Sequence, residues 1–260
     1  MRRYSSDWYW YYAINYSLVI IIIFPIYWTL ISSFKKPNEL ITSEPTFYPH
    51  DLTLQYYDQI WNFDRIKVLQ DTETVDTNSS GVEVEEKFRL DGEGVKRPFI
   101  NSAIVSAGTI ILTIIVCTLG GYALTVLNTP FKNFFFLLVI LPILIPGISL
   151  IIPLYKLLKE IGLTNSHLGL ILIHTCGMLP LGIFMMRNAF NSIPTSLREV
   201  AMLEGSSELK IITSVMLPLA IPGLLTVMVF AMYVSWNDYI YAFIFINSPE
   251  NTMLNISLMK

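Results

Sequence analysis

The chain has 260 residues, of which 53% are hydrophobic and only 14% charged, and its formal net charge is −3. Soluble domains carry about a quarter charged residues, so the composition excludes an ordinary soluble domain, and a small negative charge argues against a nucleic-acid partner. A mean hydropathy of +0.53 points to lipid as the main solvent.

A helix that crosses a bilayer needs roughly 20 mostly apolar residues, and five stretches qualify. The first, Tyr12 to Ile31, carries no formal charge. Arg2 and Arg3 ahead of it imitate the start of a signal peptide. The apolar run is too long for one, however, and it continues through bulky aromatics with no small-residue cleavage site, so it is read as a retained helix. The loop from Phe34 to Pro98 is long and polar. Within it, Val82 to Leu90 partly alternates apolar and polar residues and runs into Asp91-Gly92, which predicts a small hairpin. The surrounding charges read as solvated surface.

The second stretch is Phe99 to Leu127, where Ser102 with Ser106 and Ala103 with Ala107 place small residues four apart, a spacing that permits close helix contact. The third, Phe134 to Tyr155, contains Pro142, Pro146 and Pro153. The fourth, Leu168 to Met186, is free of charge apart from His174. The fifth, Ile211 to Trp236, contains Pro218 and Pro222 and precedes a short apolar run, Tyr239 to Ile246. Proline removes a backbone donor and kinks a helix, and in lipid the freed carbonyls need partners. The third and fifth stretches are therefore expected to be bent and packed inside a bundle. His174 is either a pathway-lining, substrate-touching residue or a neutral histidine hydrogen-bonded between helices, with the second preferred. Cys117 and Cys176 form no CxxC pair and no zinc-ligand spacing, and are expected to be small buried hydrophobes.

Lys and Arg in short loops set orientation. Arg2, Arg3, Lys132, Arg187, Arg198 and Lys210 fall on one side if the helices alternate, and the opposite short loop holds Lys156 and Lys159. The N-terminus is therefore expected in the cytoplasm. The fold class is all-α, a polytopic membrane helical bundle. No HExxH, no GxSxG and no Gly-Lys dipeptide occurs, so no Walker A loop is present to hold ATP phosphates. No charged side chain lies at the centre of a span, which weakens the case for a proton-driven transporter. A membrane-embedded enzyme acting on lipids would need acids, nucleophiles or metal ligands near a membrane face, and no such set is present. A non-catalytic membrane scaffold is the other alternative, although it has no need of kinked helices.

The loop between the fourth and fifth stretches reads Ser192-Ile-Pro-Thr-Ser-Leu-Arg-Glu-Val-Ala-Met-Leu-Glu-Gly-Ser-Ser-Glu208. Pro194 can start a helix, and Ser196 with Glu199 matches a capping box. Leu197, Val200 and Ala201 make one apolar face. Gly205 suits a left-handed helix end, and Ser206 or Ser207 can cap the next helix. The polar face is mostly Glu, which anionic lipid disfavours, so the short helix is expected to dock on a partner protein.

Glu199-Val-Ala-Met-Leu-Glu-Gly205, followed by Pro218 and Pro222, resembles the EAA loop of binding-protein-dependent ABC importer permeases. There Glu-Ala-Ala is followed three residues on by Asp-Gly and later by two prolines. The departures are Val200 for Ala, Glu204 for Asp, Ser206 for Ala, and Ile212 where an aromatic is usual. Pro25 to Lys36, Phe99 to Ser102, Ile152 to Tyr155, Gly162 to Gly169, Asn191 to Pro194 and Trp236 to Asp238 are similar to the smaller, maltose-type permease subunit. The resemblance spans roughly residues 8–64 and 98–260, and 65–97 look like an external insertion in a single transmembrane domain over 1–260.

The resemblance implies a non-enzymatic transport subunit in a prokaryotic inner membrane, with no cofactor of its own. A second permease subunit, two ATP-binding subunits that hold ATP and Mg, and an external solute-binding protein would complete the importer. Its cargo would be a small polar solute such as a sugar, oligosaccharide or glycerol phosphate. Leu197, Glu199, Val200, Ala201, Glu204, Gly205 and Ser206 would couple to an ATPase subunit, Pro218 and Pro222 would kink the fifth span, and Asn247 to Asn255 would lie near the solute-binding protein. A sixth helix is expected after Lys260, which reads as a truncation.

Overall fold

The computed structural model describes residues 7–40, 46–54, 57 and 95–259. Arg2, Arg3, the Val82 to Leu90 hairpin and nearly all of the 65–97 insertion lie outside the described residues. The described residues are helical or irregular, and the chain forms two compact units, Met1–Phe63 and Asp64–Lys260.

In the first unit α1 (Asp7–Ser32) covers the expected first span and is followed by the single turn α2 (Pro37–Leu40). Pro25 sits inside α1 and lacks an N–H. The start of the polar loop folds back on the end of α1. Tyr57 Oη donates to Ser33 Oγ at 2.6 Å. The Lys35 ammonium lies 4.9 Å over the Trp28 ring and donates to the Thr46 carbonyl, so this lysine is buried rather than solvated. Lys36 pairs with Asp51 at 2.9 Å and holds that carboxyl below the usual carboxylate range.

In the second unit α3 (Lys96–Thr125) and α6 (His167–Asn191) form the most extensive helix pair, and α10 (Ile221–Trp236) packs on both. The face that α3 buries is rich in small polar residues, Ser102, Ser106, Thr109 and Thr113 among them, whereas Ile104, Ile111, Ile115 and Leu119 point outward. In hydrocarbon there is no gain from hiding apolar side chains, so small residues that allow close packing go inside. Of the two small-residue pairs expected to face a neighbour, Ser102 and Ser106 do so, while Ala107 is exposed. The closest approaches are made by glycines. A Cβ at Gly121 would lie 2.6 Å from Met186 Cβ and 3.2 Å from the Arg187 nitrogen, and one at Gly182 would lie 2.5 Å from Cys117 Sγ.

The proline-rich stretches are broken rather than gently bent. The third consists of α4 (Lys132–Ile140), a 3₁₀ turn at Leu141–Leu144, a second at Gly147–Leu150, and α5 (Ile151–Glu160), with its halves at 95°. Pro146 pushes the preceding Ile145 out of the helical region, to ψ 121°. The fifth runs through α8 (Glu208–Ile211), a π-turn at Ile212–Met216, α9 (Leu217–Leu219) and α10, with an 83° bend at Ala220. The π-turn lets Leu217 N donate to Ile212 O, five residues back. Among the described residues three helices are thus long and apolar enough to cross a bilayer, or up to five if each bent pair counts as one span.

Two expectations need correction. The third stretch is only partly packed inside this chain: α4 and both 3₁₀ turns bury no residue, although Phe136 and Val139 rest on one core cluster and α5 joins the other through Leu158. Cys176 is exposed, although Cys117 is buried as expected. The reason is common to both: an apolar side chain facing lipid costs nothing, so hydrophobicity does not imply burial in the protein.

The contacts sort the loops into two ends. Arg187 donates to Asn133 Oδ1 at 3.2 Å and Tyr122 to Glu208 Oε2 at 2.7 Å, gathering residues 122–133 and 187–210 at one end. Asn101 Nδ2 donates to the carbonyls of Glu250 and Thr252, and Asn165 N to that of Phe245, gathering the opposite ends of α3 and α6 with α11 (Ile240–Phe245) and α12 (Leu254–Ser257).

Candidate functional site

At the end that carries Arg187, Arg198 and Lys210, the chain leaves α6 and forms α7 (Thr195–Leu203) before turning into α8. The start of α7 differs from the expected capping box. Pro194 itself holds the cap position with ψ 129°, and its carbonyl accepts from Leu197 N at 3.2 Å. Ser196 is therefore already inside the first turn, and no side chain caps the helix. An extended proline whose carbonyl opens the helix leaves the cap position occupied.

The end of α7 matches its sequence. Gly205 has φ +79°, Ser206 N donates to Ala201 O, and Gly205 N to Met202 O, each at 3.0 Å. These two bonds make a Schellman turn, which satisfies carbonyls that the helix end would otherwise strand. Ser207 then caps α8, its Oγ accepting from Lys210 N at 3.4 Å. Of the three residues expected on one apolar face, only Ala201 is buried. Leu197 is 41% exposed, Val200 53% and Leu203 89%. Glu199 and Glu204 are exposed beside them, and Ser206 is half-buried under the turn. α7 is thus anchored through Ala201 and presents an apolar surface with an acidic border away from its own chain.

Three residues that the spacing of motifs did not single out fix this helix in place. Arg198 pairs with Glu208 through Nη2 and Oε1, and its Nε lies 3.4 Å from Glu208 Oε2. Tyr122, from α3, donates to Glu208 Oε2 at 2.7 Å and accepts from Arg198 Nε at 3.3 Å. Glu208 lifts the Arg198 guanidinium above its ordinary value, so Arg198 stays charged throughout the working pH range. The Tyr122 ring packs edge-on against Phe190 of α6 at 5.7 Å. Opposite charges flanking a glycine turn are visible in the sequence, but nothing local marks Tyr122.

His174 lies on α6 and is 3% exposed. Its Nε2 is 3.5 Å from Asp238 Oδ2, and its ring meets Tyr241 edge-on at 6.2 Å. Asp238 follows α10 and caps α11, accepting from Tyr241 N at 3.1 Å and Ala242 N at 2.9 Å. Tyr241 Oη in turn donates to Gly147 O at 3.2 Å, beside the break between α4 and α5. His174 is therefore the buried member of a partly exposed polar cluster in which Asp238 lies just after the fifth stretch and Tyr241 reaches the break in the third. Asp238→Ala removes a helix cap and the partner of His174, and is expected to destabilise the fold by about 1–3 kcal/mol. The check is the thermal midpoint of the detergent-solubilised protein, which falls by several degrees, with Asp238→Asn falling less.

Pro218 and Pro222 sit on either side of the Ala220 bend. Between Asn247 and Asn255 the asparagines serve inward contacts as well as surface ones. Asn251 Nδ2 donates to Asn165 O at 2.7 Å, Asn255 Nδ2 to Trp236 O at 2.8 Å, and Asn165 Oδ1 accepts from the backbone of Asn247 and Ser248 at 3.0 Å. Among the described residues no group of three or more His, Cys, Asp or Glu side chains is placed to hold a metal.

Known proteins share this architecture. The chain is 30% identical over 252 residues, 92% of its own length and 76% of the relative's, to the inner membrane ABC transporter permease protein YcjP of Escherichia coli (strain K12). It is 27% identical over 236 residues, 91% of the chain and 73% of the relative, to the sulfoquinovosyl glycerol transport system permease protein SmoH of Agrobacterium fabrum (strain C58). Its fold superposes with a TM-score of 0.75 and 20% identity on a chain in the crystal structure of a bacterial ABC transporter that imports the acidic polysaccharide alginate, covering 99% of this chain and 82% of that one. Residues 114–259, which contain α7, the glycine turn and the Ala220 bend, match the sequence pattern of binding-protein-dependent transport system inner membrane components. The chain belongs to that family, the multi-pass inner-membrane permease subunits of binding-protein-dependent ABC importers.

Proposed function

We propose that this permease subunit imports sugars or related solutes, and that α7 is the element through which a separate ATPase subunit drives it. The observation that carries the coupling reading is the exposed apolar surface of α7, Leu197, Val200 and Leu203, beyond the end of the spans and bordered by Glu199 and Glu204. An exposed apolar patch with a polar rim marks a protein contact. The acidic rim disfavours an anionic lipid surface. Gly205 and Ser206 form the turn that sets the angle of α7, and Pro218 and Pro222 bend the span that it feeds.

In this reading residues 1–260 are one transmembrane domain with an external insertion at 65–97, and the N-terminus lies in the cytoplasm. A second permease subunit shares the pathway. Two ATP-binding subunits supply ATP and Mg, and this chain binds no cofactor itself. An external solute-binding protein delivers the small polar solute close to Asn247–Asn255. The sugar class is supported by the transport of sulfoquinovosyl glycerol and of alginate by relatives. His174 acts from behind the pathway by holding Asp238 and Tyr241.

The test is photocrosslinking from single cysteines labelled with a maleimide-benzophenone, which needs no thiol on the partner. Val200→Cys and Leu203→Cys, in a background of Cys117→Ala and Cys176→Ser, are expected to crosslink to a subunit that carries a Walker A loop when the importer is assembled in native membranes. Absence of such a product from both positions sinks the reading. A second check uses Glu199, whose carboxylate makes no hydrogen bond or ion pair among the described residues. Glu199→Lys reverses the rim charge without touching the fold. It is expected to cut ATP-driven sugar uptake at least tenfold in vesicles while leaving membrane insertion unchanged. A panel of radiolabelled di- and oligosaccharides identifies the cargo.

A further inference from the structure

We infer that Tyr122, Arg198 and Glu208 are positioning residues that make α7, α8 and the end of α3 move as one body, so that displacement of α7 reaches the spans. The inference rests on the coupling reading of α7.

The covalent links of α7 are poor transmitters. It joins α6 through a short turn at Ser192–Pro194, and α8 through Gly205, whose left-handed backbone has no heavy atom within 4 Å of its Cβ position. The two bonds of the Schellman turn hold the resting angle of α7 against α8, but these end joints reach only its chain neighbours, so a push on the nine-residue helix is shared with α3 only if something else ties the helix down. Ala201 supplies apolar contact, but apolar contact is non-directional and lets one helix slide over another.

The polar trio is directional. An arginine fork on a carboxylate fixes both distance and angle. Here both oxygens of Glu208 are occupied, one by Arg198 Nη2 and the other by the Tyr122 hydroxyl, with Arg198 Nε shared between that oxygen and Tyr122. Each member comes from a different element: Tyr122 from α3, Arg198 from α7 and Glu208 from α8. Tyr122 is 1% exposed and braced by Phe190, so the trio is also fastened to α6. The Arg198 side chain is largely covered and that of Glu208 about half, so solvent screens the pair less than a fully exposed one. Through Arg198, α7 is thus bonded to two other elements at once, and with the contact at Ala201 this restrains its rotation as well as its translation. Glu208 also stands at the head of the broken fifth stretch, so motion of α7 is delivered directly to the π-turn and the Ala220 bend.

The experiment uses the assembled importer in liposomes. Asn247→Cys, at the opposite end of the chain, reports motion through its rate of labelling by a membrane-impermeant maleimide, with native Cys117 and Cys176 replaced. Mg-ATP with vanadate is expected to change that rate in the otherwise native complex. Tyr122→Phe, Arg198→Gln and Glu208→Gln are each expected to reduce the ATP-driven change at least fivefold. Leu203→Cys still crosslinks to the ATPase subunit and ATP hydrolysis persists. The charge exchange Arg198→Glu with Glu208→Arg is expected to restore at least half of the change, which a role in folding alone does not predict. If the single variants keep the full change while the crosslink persists, the clamp is wrong and the coupling reading stands. If the crosslink is absent in the native complex, the coupling reading falls and takes the clamp with it.

Discussion

Gly205→Val is expected to reduce ATP-driven sugar uptake below a tenth of the native rate, with Gly205→Ala intermediate and Gly205→Asn close to native. The order follows from the backbone alone. Gly205 holds φ +79° and nothing lies near the place where a Cβ would go, so no steric clash with a neighbour contributes. A left-handed conformation costs an ordinary L-residue about 1–2 kcal/mol, with β-branched residues at the upper end and asparagine least affected. The strain is relieved by opening the turn, which breaks the bonds from Ser206 to Ala201 and from Gly205 to Met202 and swings α7 away from its docked angle. Uptake of the sugar that native vesicles accumulate, normalised to protein in the membrane, reads the series. Equal rates for Val and Asn would show that the angle of α7 is immaterial. The spans do not depend on this turn, so amounts in the membrane are expected to stay level.

Gly121→Val is expected to abolish accumulation of folded protein, while Gly177→Ala on the facing helix is neutral or slightly stabilising. At Gly121 a Cβ would press on Met186 Cβ and on the Arg187 backbone, and neither can rotate away. Overpacking of this kind costs about 1–3 kcal/mol or more, and here it separates α3 from α6, the helix pair on which α10 also rests. Gly177 has nothing within 4 Å of its Cβ position, so Ala there gains helix propensity with no clash. Gly108→Ala falls between them, because its nearest contact is the mobile tip of Ile171. Fluorescence-detected size exclusion after mild solubilisation measures all three. A monodisperse Gly121→Val protein would mean that α3 and α6 can repack without close backbone approach.

The structure changes how several prolines are understood. Pro142, Pro146, Pro218 and Pro222 each lack a backbone donor, and that much is local, but Pro25 and Pro180 lack one too and lie inside unbroken helices. How far each break opens is not local: 95° in one stretch and 83° in the other, with a π-turn inserted ahead of the second. A missing donor says only that a hydrogen bond is lost, whereas the final angle depends on what the two halves pack against.

Sequence by itself determined the number and place of the apolar stretches, the all-helical class, the left-handed helix end at Gly205, the serine cap of α8 and the family resemblance of the loop. Each is a matter of residue type within one or two turns of chain, where backbone sterics and local hydrogen bonding decide. Tertiary structure alone decided which face of each span is inside. On α3 it buried the Ser and Thr side and turned isoleucines outward, a choice that hydropathy cannot make when the surroundings are hydrocarbon. It also brought Tyr122, Arg198 and Glu208 together across 76 and 86 positions of chain, and set His174 beside Asp238. Such contacts need the helices to be docked first, since the partners of a buried polar group are set by the elements that surround it and not by its neighbours in sequence.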